Sequence, residues 1–557
     1  MLTALPRRQI GTLLLFTGFL VFSFWLMLHT LGYDPETHTI RIASTLWSDF
    51  GAHLPLVRSF SIGSNWWRIT HWQAPQSPLF PGEKIRYHFL FYMIAGVLER
   101  AGLRFDWAVN IPSALGLSGL LVFLFLLIRR LFASTGVALL TVLFFLFNGS
   151  LAFLKFFRAH PLSPATPLEI LSADRFPAFG PWDGGPVSAF WNFNIYTNQR
   201  HLALSFAVCL AVIYILLIHD PKQPLRIRFL SGLGVGVLAG SLFFLNQAAL
   251  LIAVTYLFFL FFLHPPARFP VLSAFVVLVP AFLVYRNITA DPAAIGIDPG
   301  YLIEKPLTAG KFLWYWWHNL GFHLILMPAG FLLASRRLKL LALPLLLLFA
   351  LPNVFRLSPD MINNHKLFNF VVIMGSAYSA LALYRLWRLG RGFGRLLPKT
   401  LTVILIFLVT VSGIIDISVI ANDRIGGLYD YPVVPEAVYF LNHSAPDDLV
   451  LNSNWFYHPA SLVGRDIYSG YAYFTWSYGY DKDAREEIMN AIYNAPDGNT
   501  ACRILSGQSI DLVELSDKPE GFIKVNWSLW KGSFRPSYRN SDTGVSIYRV
   551  SDICPGL

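Results

Sequence analysis

Residues 47–60 read W-S-D-F-G-A-H-L-P-L-V-R-S-F, and residues 81–92 read P-G-E-K-I-R-Y-H-F-L-F-Y. Between Trp47 and Arg104 the chain places Asp49, His53, Arg58, Glu83, Lys84, Arg86 and His88, directly after its first apolar run, Gly11–Leu31. Ionisable side chains gathered where a chain leaves a bilayer are costly to keep without a task. This segment is therefore the candidate active-site loop, and the remaining sequence decides what is built around it.

The rest of the chain reads as membrane. Of 557 residues 55% are hydrophobic and 13% charged, where soluble domains carry about 25% charged residues. Mean hydropathy is +0.52. Apolar runs near the length of about 20 residues that a crossing helix needs recur at Ala108–Ile128, Ser134–Leu154, His201–Ile218, Phe229–Leu245 and Ala248–Leu263. They continue at Phe269–Tyr285, Phe312–Ala334, Leu338–Leu351, Leu367–Tyr384 and Leu401–Ala421. Gly11–Leu31 follows Arg7 and Arg8 and precedes no small-residue cleavage site, so it reads as a retained span. The fold class expected is an all-α polytopic membrane domain of about eleven transmembrane helices over residues 1–421, followed by a small extracytoplasmic α/β domain over 422–557. In that second region strand-like runs, Leu449–Asn452, Ile510–Leu515 and Val545–Val550, mix with helical patterns at Pro435–Asn442 and Asp483–Tyr493.

Charge assigns the sides. Tyr87–Leu103 is apolar but short and broken by Glu99 and Arg100, so it is placed in the interface and not across the bilayer. Arg129-Arg130, Lys222/Arg226/Arg228, Arg268, Arg336-Arg337-Lys339 and the Arg385–Lys399 loop, with Arg388, Arg391 and Arg395, then all fall in the cytoplasm. The loops with Asp49, Asp174, Asp183, Asp291, Asp298, Glu304 and Asp360 fall outside, together with the C-terminal region. The net charge of +11 is then a topology signal and does not point to nucleic acid. Three cysteines exclude a disulfide scaffold and a Cys-rich metal site, while Cys502 and Cys554 could pair in an oxidising compartment. The aromatic run G-R-D-I-Y-S-G-Y-A-Y-F-T-W-S-Y-G-Y-D (464–481) suits either a carbohydrate-facing surface or the underside of a domain resting on the membrane, and the second is preferred. No internal repeat is visible and the span interiors are nearly free of charge, which argues against a transporter or flippase. Asn246-Gln247 is the only polar hint of one.

A first span, an acid early in a long outer loop, and Tyr87-His88 opening a juxtamembrane helix resemble the GT-C superfamily of membrane glycosyltransferases. The nearer likeness is to the branch of protein O-mannosyltransferases and aminoarabinose transferases. Those families carry D-E or D-E-x-H where this chain has Asp49-Phe50-Gly51-Ala52-His53, so the Asp and a His match and the second acid is missing. The resemblance implies a polyprenyl-phosphate-linked sugar donor used at the extracytoplasmic face of the cell (inner or plasma) membrane. The acceptor would be a glycan, lipid or protein hydroxyl.

The residues fit that chemistry. Displacing phosphate from an anomeric carbon needs a base for the incoming hydroxyl, and Asp49 is the candidate; its bland alternative is a helix N-cap. His53, four residues on, shares its face if the segment is helical. The leaving lipid phosphate needs cations or N–H donors, and R-L-S-P-D-M-I-N-N-H-K (356–366) offers Arg356, His365 and Lys366. Lys84, Arg86 and His88 are the rival set. In F-G-P-W-D-G-G-P-V-S-A-F-W-N-F-N (179–194), Asp183 is a candidate for sugar hydroxyls or a metal, with Trp182 and Trp191 to stack on a ring; a tight turn is the bland alternative. The outer loops hold no D-x-D or dense carboxylate cluster, so no cofactor is assigned, though a divalent metal stays open. No nucleotide-binding glycine motif sits between a strand and a helix. A single base without a nucleophile partner implies inversion. A lipid-linked-sugar transporter and a non-catalytic polysaccharide-binding scaffold are the rival functions.

Overall fold

The computed structural model describes residues 7–555 apart from 221, 291–294, 390–393, 395, 454 and 518–523; Asp291, Arg391 and Arg395 lie outside these. The chain forms two compact units. The first comprises Met1–Thr30, Ser113–Phe282 and Ile295–Arg424; the second comprises Leu31–Pro112, Leu283–Ala294 and Ile425–Leu557. The segment after the first span thus belongs with the C-terminal region. The expected division at residue 421 concerns the bilayer and is taken up as a proposal below.

Among the described residues eight helices are long and apolar enough to cross a membrane: Ile10–Thr30, Phe105–Phe132, Arg200–Ile218, Leu225–Leu245, Pro265–Ile288, Arg336–Val354, Met361–Trp387 and Leu396–Ala421. Three shorter apolar helices, Thr135–Leu146, Gln247–Leu263 and His323–Leu333, accompany them. Asn246 opens the second of these as its N-cap, accepting a bond from the Ala249 amide at 3.1 Å. That local bond accounts for Asn246, the first of the two polar residues that hinted at a transport path. Helices of the first unit approach closely where side chains vanish: a Cβ on Gly330 would lie 1.8 Å from the Tyr378 carbonyl oxygen, the kind of small-residue contact that holds apolar helices together without a hydrophobic drive.

Two expected spans are broken. The 134–154 run forms a helix over Thr135–Leu146, then irregular backbone, then Ala152–Ala159; the 312–334 run is split into Ala309–Leu320 and His323–Leu333. The breaks face each other. Leu151 donates its amide to the His318 carbonyl at 2.9 Å, and a Cβ on Gly321 would sit 2.2 Å from the Gly149 carbonyl oxygen. Interrupted backbone among apolar helices needs protein partners, and Ser412 supplies one by donating to the Ser150 carbonyl at 2.6 Å. Asp416, buried in the Leu396–Ala421 helix, accepts from Asn148 Nδ2 at 2.6 Å. An interior carboxylate was not expected; it serves the break.

In the second unit, Leu31–Asp34, Thr39–Ala43 and Ile425–Tyr429 form an antiparallel sheet in that order, with Ile40 opposite Leu428. A mixed five-stranded sheet follows in the order Tyr538–Arg539, Val545–Arg549, Leu512–Ser516, Leu449–Leu451, Asp466–Ile467. Its three longest strands match the three strand-like runs of the sequence. The helices Pro435–His443 and Lys482–Tyr493 match the two helical patterns within a few residues. Leu451, Val513, Leu515, Met489, Ile492 and Trp530 share one core, and Cys502 and Cys554 are joined there with Cα atoms 5.5 Å apart.

Candidate active site

Asp49 lies on a helix, Trp47–Ser61, and Leu46 is the N-cap, making no side-chain capping bond. The N-cap reading of Asp49 therefore fails by position: the carboxylate is the third residue of the helix. An acid there favours the helix dipole by about 0.3–1 kcal/mol, which is too little to explain the cluster around it. Because the segment is helical, Asp49 and His53 share a face, as the four-residue spacing requires. His53 is buried, its ring 4.9 Å from that of Tyr92 and 5.5 Å from Phe50.

The Leu90–Arg100 helix packs across the Asp49 helix, and a Cβ on its Gly96 would be 2.6 Å from the Val57 carbonyl. The Leu90–Arg100 helix is eleven residues long, about 16 Å at about 1.5 Å per residue; the interfacial place expected for Tyr87–Leu103 belongs to the topology proposed below. Arg58 locks these elements. Its Nη2 reaches both carboxylate oxygens of Asp430 at 2.9 and 2.8 Å, and its Nε lies 3.3 Å from Glu99, with Arg58 itself 2% exposed. Its guanidinium also lies over the rings of Tyr431 and Phe105, at 5.0 and 5.2 Å.

Four phenols feel the charge of Asp49. Burial raises the pKa of Tyr87, Tyr92, Tyr457 and Tyr478, and in each the negative charge of Asp49 adds to the rise. All four stay neutral O–H groups at physiological pH. Tyr87 stacks on Tyr478 at 4.4 Å and lies 6.2 Å from Tyr92. Such a group of neutral donors around one acid suits the recognition of hydroxyl-rich ligands.

The loop cations are placed by the same unit. Arg86 donates Nη1 to the Gly479 carbonyl at 2.9 Å and lies over the Tyr480 ring at 5.2 Å. Lys84 is exposed and donates to the Asn287 carbonyl at 2.8 Å. His88 is buried beside Tyr87, 3.6 Å between rings. Much of the aromatic run 464–481 is packed here, and its Tyr478 is one of the phenols that feel the charge of Asp49. Tyr480 stacks on Phe80 at 4.8 Å, accepts from the Arg86 amide and donates to the Lys84 carbonyl, both at 3.0 Å. Only Tyr473 and Trp476, at 40% and 41% exposure, remain outward-facing among its large aromatics.

In the first unit Asp183 is occupied by its own turn. It accepts from Lys155 Nζ at 2.8 Å and from the amides of Phe179 and Gly185 at 3.0 and 2.9 Å, with Gly184 in the left-handed region at φ +67°. Burial would raise this carboxyl, but the Lys155 bond and the two amides outweigh it and hold it below the ordinary value. Trp182 is 56% exposed against Phe179 and Phe190. Trp191 is half-buried, its indole N–H on Asn319 and its ring beside Trp316.

The sequence's second loop meets its third through Phe190, whose ring lies flat on His365 at 4.2 Å and 6°. His365 is 1% exposed, with Nδ1 3.3 Å from Asn369 Nδ2. Lys366 is buried at the start of its span and reaches Asn363 Oδ1 at 3.3 Å. Asn364 pins the loop by donating to the Pro352 and Phe355 carbonyls at 2.9 and 2.7 Å. Arg356 is exposed just past the Arg336–Val354 span, and among the described residues it has no ion pair. The structure therefore groups Trp182, His365 and Lys366 in one unit and Asp49, His53, Lys84, Arg86 and His88 in the other. Among the described residues no three His, Cys, Asp or Glu side chains converge to hold a metal ion.

No family model and no curated protein matches the chain. Among solved structures it aligns with the oligosaccharyltransferase of Archaeoglobus fulgidus tethered to an acceptor peptide, at 12% identity and TM-score 0.46, over 90% of this chain and 69% of that one. The same organism's oligosaccharyltransferase AglB, in complex with an inhibitory peptide and a dolichol-phosphate, aligns at 12% identity and TM-score 0.42 over the same shares. Its complex with Zn and sulfate aligns at 12% identity and TM-score 0.43, over 89% of this chain and 67% of that chain.

Proposed function

We propose that the chain is a membrane glycosyltransferase that moves a sugar from a polyprenyl-phosphate donor to an acceptor hydroxyl, with Asp49 as general base. The observation that carries this is the setting of Asp49. It sits in the first turn of a helix, one turn from His53, where its charge reaches four phenols, Tyr92 buried and Tyr87, Tyr457 and Tyr478 half-buried. In the step itself the carboxylate takes the acceptor's O–H proton as the oxygen attacks the anomeric carbon. The bond from that carbon to the phosphate oxygen breaks on the opposite side, so the configuration inverts. The lipid phosphate leaves unprotonated and is held by cations, Lys366 and Arg356 first. No step is routed through a metal ion.

In this reading about eleven helices cross the membrane, the basic loops face the cytoplasm, and the Asp49 loop and residues 422–557 lie outside. An R388C variant would then be labelled only from the cytoplasmic side.

Asp49→Asn tests the mechanism. The change keeps size and most hydrogen bonding but removes the base, and transfer should fall about 100-fold to 10,000-fold. Thermal stability should move by no more than the dipole contribution of about 0.3–1 kcal/mol. Near-normal transfer by this variant would refute the mechanism. A second reading, transport of a lipid-linked sugar, is favoured by the paired helix breaks at Gly149 and Gly321 with Asp416 beside them. It predicts that purified protein given a lipid-phosphate sugar and acceptor releases no free lipid phosphate.

A further inference from the structure

The Asp49 helix runs on from a short 3-10 turn, Ser44–Leu46, whose end donates the Trp47 amide to the Ser44 carbonyl; Leu46 itself adds no side-chain cap. The protein must hold this first turn closely, because a general base misplaced by about 1 Å can lose on the order of 100-fold in rate.

Residues Phe456–His458 do so from one side. The Phe456 ring rests on Gly51 so closely that a Cβ there would be 2.5 Å from its Cδ1. Tyr457 donates its hydroxyl to the Trp47 carbonyl and packs edge-on against the Trp47 ring at 4.9 Å. The other face of that indole is closed by Gly426, whose Cβ would meet the ring at 2.9 Å. Tyr457 holds φ at +56°, a left-handed conformation that is costly for a bulky side chain and persists only where surrounding contacts enforce it. The enforcement comes from the sheet. His458 is 3% exposed, its Nδ1 3.1 Å from Glu514 Oε1 on the central strand Leu512–Ser516, and its Nε2 3.2 Å from Ser453 Oγ. The segment is thus fixed to the sheet at His458 and pressed onto the helix at Phe456 and Tyr457.

We propose that Phe456, Tyr457 and the His458–Glu514 pair form a positioning strap by which the C-terminal sheet sets the first turn of the Asp49 helix, and with it the direction of the catalytic carboxylate. Tyr457 is a positioning residue that acts through Trp47, and Gly51 is the notch that admits the strap. This rests on the reading of Asp49 as base. It also explains why glycine stands two residues after that acid, and it gives the C-terminal region a task in the reaction.

The test combines hydrogen exchange at the amides of residues 48–52 with transfer kinetics in the full-length protein. Tyr457→Phe removes only the hydroxyl, and Glu514→Gln weakens the anchor. Both should speed exchange in the first turn about tenfold or more and lower kcat by about tenfold to 100-fold, with donor KM within about twofold and the Cys502–Cys554 bond intact. Gly51→Ala separates the strap from simple helix stability. Alanine raises helix propensity and on that ground alone would slow exchange, whereas displacing Phe456 speeds it and lowers kcat. Unchanged exchange in Tyr457→Phe and Glu514→Gln overturns the proposal, as does slower exchange in Gly51→Ala. Faster exchange with normal transfer also overturns it when Asp49→Asn abolishes transfer; if Asp49→Asn transfers normally too, it is the base reading that has failed.

Discussion

Asp183 and Asp49 are both acids in polar stretches between apolar runs, and both face aromatic neighbours, but their surroundings have different origins. Asp183 is satisfied mainly within its own turn, by amides two and four residues away, with Lys155 of the preceding Ala152–Ala159 helix as its ion partner. The groups that feel the charge of Asp49 come from positions 87, 92, 457 and 478. A carboxylate whose bonds are local is explained by the turn it closes. One around which distant parts of the chain assemble phenols is not explained by local structure, and that difference marks the candidate site.

The widest gap should appear when Asp49→Asn and Asp183→Asn are run in one transfer assay. Against the loss of about 100-fold or more for the first, the second should change transfer by about threefold or less, because an exposed ion pair is worth about 0–1 kcal/mol. Equal losses would erase the distinction. Next comes the support beneath Asp49. Arg58→Met would leave Asp430 and Glu99 as buried carboxylates without their cation, at a cost of about 3–5 kcal/mol in stability; denaturant or thermal melting of the purified variant checks it.

A smaller effect is expected on the donor side. Lys366→Ala and Arg356→Ala should each weaken lipid-phosphate binding by about 1.5–3 kcal/mol, the worth of a charge-assisted bond, in direct binding measurements. Unchanged affinity in both would move the phosphate to Lys84 and Arg86. The finest test asks whether burial alone shapes the acids of the second unit. Asp466 is buried, accepts from Ser64 at 3.3 and 3.2 Å, and has its pKa pushed up to about 7 by loss of solvent. A raised folded-state value means that its contribution to stability is present in full below the ordinary carboxyl range near 4 and is lost as pH rises towards 7. Asp466→Asn should therefore flatten the fall of melting temperature across that window; an unaltered slope would assign the pH dependence elsewhere.

Much of this was legible in the sequence, and the parts that were not share a cause. The three longer strands and two of the helices of the C-terminal region carry their own periodicity and turn residues, and they appear within a few residues of where the pattern puts them. The Asp49–His53 pairing followed from spacing once the segment was helical. The breaks at Asn148–Leu151 and after Leu320 were hidden because the flanking residues stay apolar; what permits them is partners such as Ser412 and Asp416, more than 250 positions away from Ser150 and Asn148. The phenols around Asp49 were hidden for the same reason. Tyr87 was quoted with the loop and Tyr478 with the aromatic run, but no local pattern joins them. The bland alternative for Asp49, a helix N-cap, misses by three positions, since Leu46 takes that place; helix boundaries are the least legible feature of a sequence.

The ion pair between Arg58 and Asp430 has a consequence in time. Its partners are 372 positions apart in the chain, and ribosomes add roughly 5–20 residues per second. Some 20–75 seconds of synthesis, by that rate, separate the emergence of the guanidinium from that of the carboxylate that completes its neutralisation. Throughout that interval the segment bearing Asp49 must wait with Arg58 beside Glu99 alone while the intervening apolar helices are made. The site is among the first parts of the protein to be made and among the last to close.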